Sequence, residues 1–193
     1  MTDGQPKAQR SNMLVRLANR LERLSTLTGR AVAWLTLFMV LVTSLVVTLR
    51  YVFDIGYIWM QESVLWMHAL VFLLAAAYTL ARDEHVRVDI FYRRMQPRSR
   101  AIVDLAGSLF LLVPTAVFIL VTSLDFVSVA WRVSESSPEA GGLPGLYLLK
   151  TAIPVAAGLL LLQSLAWVLR SVAVLLDSAS AAARKQQASA DRF

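Results

Sequence analysis

Four apolar stretches free of Asp, Glu, Lys and Arg punctuate an otherwise polar chain, at residues 31–49, 63–81, 105–124 and 151–169. Each is nineteen or twenty residues long. At about 1.5 Å rise per residue, such a helix reaches roughly 28 to 30 Å, the thickness of one hydrocarbon core. The pattern predicts an all-α integral membrane protein with four transmembrane helices. Ahead of the first run, Leu14, Leu17, Leu21, Leu24 and Thr28 recur at intervals of three and four, while Arg16, Arg20 and Arg23 fall elsewhere on the wheel. That spacing predicts an amphipathic helix in the membrane interface. Gly29 and Arg30 supply a break that favours a separate element over a simple extension of the first span. A shorter interfacial helix is expected in the central loop, where Asp89 and Arg93 stand at i, i+4 among Val86, Val88, Ile90 and Phe91 before Gln96 and Pro97. Residues 134–145 hold three Gly, two Pro and three Ser and are expected to turn without forming an element.

Charge orients the spans, because cytoplasmic loops retain an excess of Lys and Arg. Of the nineteen such residues, sixteen lie in residues 1–30, 82–104 and the tail after Leu169; Arg50, Arg132 and Lys150 are the other three. Both termini and the central loop are therefore expected in the cytoplasm, with residues 50–62 and 125–150 outside. The net charge of +6 follows from membrane-orienting arginine and calls for no nucleic-acid partner. The first run lies behind a long charged leader with no small-residue cleavage site after it, so it is expected to be retained. Cysteine is absent, which excludes disulfides, thiolate metal sites and a lipidated Cys. The expected organisation is a disordered leader (1–12), a single membrane domain (13–177) and a flexible tail (178–193).

Polar groups inside the spans are few. His68 is the only ionisable residue in the four runs, and the plainest reading is a neutral imidazole bonded to a neighbouring helix. Gln163 is the one strongly polar uncharged residue near a midplane, suited to an interhelical hydrogen bond. Pro114 is expected to remove the bond to the Phe110 carbonyl and kink the third span, whereas Pro154 falls in the first turn of the fourth, where it is tolerated. Trp34, Trp59, Trp66 and Trp167 lie near span ends and suit interfacial anchoring. A self-sufficient carrier needs broken helices and polar ligands at mid-depth, and a channel needs polar pore-lining positions; the runs supply neither. A haem- or quinone-binding anchor of a redox complex stays open as an alternative, weakened because the second histidine, His85, lies in a loop.

Several motifs carry a resemblance. Arg50-Tyr51-Val52-Phe53, Trp59, Gln61-Glu62, Ala81-Arg82, His85-Val86-Arg87-Val88-Asp89 and Gly141-Gly142-Leu143-Pro144 with Lys150 and Pro154 resemble the small permease subunit of TRAP (tripartite ATP-independent periplasmic) transporters, the DctQ-like family. Gln61 departs from it where relatives often have a second acidic residue. The resemblance implies a bacterial inner-membrane complex with a large multi-span permease subunit and a periplasmic substrate-binding protein. The large subunit would bind sodium and substrate, an organic acid, leaving this chain no enzymatic activity and no cofactor of its own. Its expected role is to brace that subunit among membrane lipid, with a contribution to docking the binding protein. Arg50, Trp59, Glu62, Trp66, Arg87, Asp89, Arg132, Glu135 and Lys150 are the candidate interface or docking residues. Arg50 and Glu62 bracket the first outer loop and are placed to pair with each other or with the partner subunit.

Overall fold

The computed structural model describes the backbone of residues 5–82, 92 and 94–190, and the side chains of 12–82, 92 and 94–178. Four long helices make up the fold, with no strand among the described residues: α1 (Gln5–Val52), α2 (Ile58–Ala81), α3 (Pro97–Arg132) and α4 (Leu146–Ala190). Each contains a window long and apolar enough to cross a membrane, and each predicted run falls inside one helix. All but α2 overrun their apolar runs by several turns. Arg, Lys, Glu and Gln propagate a helix nearly as well as Leu, so the apolar pattern marks where lipid begins and not where the helix ends. The backbone is helical from Gln5 and up to Ala190, within stretches expected to lack regular structure.

Helix α4 is the hub. It packs against all three other helices, whereas α1 and α2 also pack on each other and α3 makes its main contacts with α4 alone. These contacts are built from small residues: among the described residues, ten of the fifteen buried apolar side chains are alanine, and five of the six buried polar ones are serine. Large side chains such as Phe38, Leu65, Phe72, Phe110 and Phe118 face outward. Lipid tails are as apolar as leucine, so burying leucine against protein yields no hydrophobic gain. Helices instead meet where small residues let their backbones approach.

Two sequence expectations, at Gly29 and Pro154, give way, and the response to Pro114 takes a definite form. The predicted break at Gly29 and Arg30 does not occur; α1 is one continuous helix. Gly29 serves packing, since a Cβ there would lie 2.7 Å from Cδ2 of Tyr78 on α2 and closer still to the Cβ and Cγ of that side chain. In α3 the demand of Pro114 is met by a π-turn over Ser108–Leu112, in which the Val113 N–H bonds back to the Ser108 carbonyl. The wider turn relieves the proline ring of its clash with the preceding turn, and Pro114 then sits at the start of the resumed α-helix. Pro154 is not in a first turn, because α4 begins at Leu146 and holds this proline in its interior.

At the end of the bundle that carries the chain termini, Arg170 of α4 bonds Glu22 of α1 and, at 3.0 Å, the Asn19 side-chain oxygen. Further along α4, Gln163 is fully buried, and neither end of its amide finds a partner among the described residues. The interhelical bond expected of it is therefore not made.

Gly29 and Gly107 make a matched test. Gly29→Ala forces a Cβ into Tyr78 and is expected to destabilise the detergent-solubilised protein by about 1–3 kcal/mol. Gly107→Ala meets nothing within 4 Å and is expected to hold or raise the melting temperature, because alanine favours the helix by roughly 1 kcal/mol over glycine. Equal melting temperatures for the two variants would refute the close-approach role of Gly29.

Candidate functional site

Most of the candidate residues gather at the opposite end of the bundle, around the two connections that join α1 to α2 and α3 to α4. The first is a short turn in which the Leu49 carbonyl accepts from the N–H groups of Phe53 (3.1 Å) and Ile55 (3.0 Å), with Asp54 in the left-handed region at φ 51°. The second, residues 133–145, is tied down by two ionic side chains.

Glu62, half-buried in the second turn of α2, points its carboxylate at this second connection. One oxygen accepts the Ser137 hydroxyl, and the other accepts the Leu143 N–H at 2.6 Å. The loop closes on itself around that anchor: Ser137 N–H donates to the Leu143 carbonyl (3.2 Å), Gly142 N–H to the Glu139 carbonyl (3.0 Å), and Glu139 N–H to the Ser137 hydroxyl (3.1 Å). Gly142 is required at its position, since a Cβ there would come within 2.7 Å of Glu62 Oε2 and 2.6 Å of the Ser137 Cβ. Gly141 and Gly145 supply backbone at φ 81° and 86°, conformations that side chains disfavour.

The second tie joins two predicted residues to each other. Lys150, in the second turn of α4, donates to both carboxylate oxygens of Glu135, at 2.7 and 2.5 Å, and its ammonium lies 4.1 Å from the centroid of the Phe126 ring on α3. Beside it, the Trp131 indole N–H donates to the Thr151 hydroxyl at 2.9 Å, and its ring packs at 4.5 Å on Tyr147. These contacts clamp the end of α3 to the beginning of α4.

Of the two options open to Arg50 and Glu62, the pair with each other is not formed; the Glu62 carboxylate is turned instead to the loop N–H and hydroxyl. Arg50 and Arg132 are exposed in the last turns of α1 and α3 and join no ion pair among the described residues. Trp59 is 47% exposed and packs at 6.2 Å on Tyr57, while Trp66 is half-buried one turn beyond Glu62. Arg87 and Asp89, with the expected short interfacial helix around them, lie outside the described residues. His68 also departs from expectation: it is exposed on α2 and bonds no neighbouring helix among the described residues. Sequence reasoning missed Ser137, the Leu143 N–H and the Trp131–Thr151 contact. The Gly-Gly-Leu-Pro stretch was the available signal, since two adjacent glycines before a proline mark backbone that something else approaches closely.

An all-helical chain whose large apolar side chains face outward along four spans is a multi-pass membrane protein. The chain belongs to the family described as tripartite ATP-independent periplasmic transporters, DctQ component, which matches residues 39–174. It is thus a small component of a TRAP transporter, and the match runs from within the apolar part of α1 through most of α4, including the Glu62 and Lys150 ties. Searches of curated proteins and of solved structures returned no match.

The Glu62 tie can be broken directly. Glu62→Ala deprives two donors of a charged acceptor, bonds worth about 1.5–3 kcal/mol each. Amide exchange and proteolysis within residues 134–145 are expected to accelerate while helical content holds. Glu62→Gln, which keeps an acceptor oxygen, is expected to fall between. Unchanged protection of the Leu143 amide in Glu62→Ala would show that the carboxylate does not order this loop.

Proposed function

We propose that this chain is the static membrane subunit that braces the large permease subunit of a TRAP transporter importing a small organic acid with sodium. Membership of the DctQ family over residues 39–174 carries the reading. The packing agrees with it: a brace needs a firm core and wide helix faces for lipid and partner, and here alanine and serine fill the core while the large apolar residues lie outside. Sodium and substrate are bound by the large subunit, and a periplasmic binding protein delivers the substrate. The termini lie in the cytoplasm, as the distribution of Lys and Arg favours. On that orientation the two connections face the periplasm, where Arg50, Arg132 and Trp59 stand exposed beside the loop that Glu62 holds, a rigid surface for the arriving binding protein.

Purification through a carboxyl-terminal tag after mild solubilisation is expected to recover a roughly stoichiometric multi-span companion, identified by mass spectrometry. Vesicles holding both chains are expected to take up substrate from the binding protein under a sodium gradient, and vesicles lacking this chain are not. A fluorescent protein fused after Phe193 is expected to fold and fluoresce in the cytoplasm. Recovery of the chain alone, or uptake that survives its omission, would overturn the reading.

A further inference from the structure

The outward face of α2 carries a regular stripe. Ile58, Gln61, Leu65, His68 and Phe72 follow one another at steps of three and four, and all five are exposed, Leu65 at 66% and Phe72 at 74%. Such alternation keeps one line of a helix facing a second helix through repeated turns. The opposite face is already occupied, since Met60, Ala77 and Leu80 are buried where α2 meets α1 and α4. The stripe is therefore an unfilled seam on a helix with one filled side.

His68 identifies what fills it. It stands five residues, about 7.5 Å along the axis, inside the first residue of the charge-free run 63–81, deeper along the axis than an imidazole reaches. Long side chains escape such a position only near helix ends. Among the described residues the ring has no hydrogen-bond partner, and it faces outward, so lipid there would leave a polar group unsatisfied. By contrast, the exposed face of α3 from Leu109 to Leu124 holds no ionisable residue, and the Thr122 hydroxyl turns back onto the Phe118 carbonyl. Lipid suits α3 and does not suit α2.

We propose that a transmembrane helix of the large permease subunit packs along this α2 seam and presents a hydrogen-bonding side chain to His68. The proposal rests on the subunit reading given above and names the face that serves it. A second copy of this chain is a poorer occupant. Its apolar runs hold no carboxylate, and its Gln163 is fully buried, so the only strongly polar group it could offer is another His68.

The test uses the co-purified complex with a benzophenone photo-cross-linking side chain in place of Leu65, or in place of Phe118 as control. Light is expected to join the Leu65 position to the large subunit and the Phe118 position to lipid alone. His68→Phe is expected to weaken retention of the large subunit roughly 3- to 10-fold, while His68→Gln, which keeps a hydrogen-bonding group, stays within about twofold of wild type. An adduct at twice the mass of this chain, lipid adducts alone from Leu65, or an adduct to the large subunit from Phe118 instead would overturn the seam and leave the subunit reading standing. Failure of the wild-type chain to recover any multi-span companion would remove both.

Discussion

The absence of water from the bilayer core governs this structure. A backbone N–H or C=O that faces lipid without a partner costs several kcal/mol, so the chain meets its hydrogen bonds inside long helices. Once they are met there, nothing hydrophobic drives the helices together. Cohesion must come from close approach of backbones and from a few polar contacts, which is why alanine and serine occupy the interfaces and leucine and phenylalanine face out. Even the prolines obey this constraint. Around Pro114 the hydrogen bonds are redistributed through a π-turn, and the helix is not interrupted.

Polar contacts are concentrated at the two ends, where water and ions are available to the folding chain. Arg170 with Glu22 fastens α4 to α1 at the terminal end. Glu62 with the 133–145 loop, and Lys150 with Glu135, fasten the connection end. Helix α3 depends most on these ties, because α4 is its main packing partner. Its connection to α4 is held twice, once by the Lys150–Glu135 pair and once through the loop to α2.

Much of this was legible in the sequence. Charge-free runs of nineteen or twenty residues fixed the number and place of the spans, because the bilayer imposes a length on them. Helix ends were not legible, since a single charge at Asp125 or Lys150 ends a charge-free run while the helix continues past it. The role of Gly29 was misread because a glycine that admits a neighbour's ring and one that breaks a helix look alike until the neighbour is known. Tyr78 is 49 residues away in sequence. For the same reason Glu62 was matched with nearby Arg50, although its partners, Ser137 and Leu143, lie on the far connection. Glu135 and Lys150 were both singled out from the sequence, and only the fold brings them together.

The length of α1 carries its own mechanical consequence. Its 48 residues extend about 70 Å, more than twice the depth of the hydrocarbon core. Past its first turn it holds no proline, and its interior glycine is wedged against Tyr78. Helix α4, of 45 residues, runs beside it and is latched to it through Arg170. Two helices joined side by side resist bending better than either alone, and the unbroken α1 backs α4, which holds Pro154, along its length. A push applied to their projecting ends is delivered through the membrane as a shift of the whole pair, and a thinning or thickening of the surrounding bilayer is met by tilting rather than by flexing.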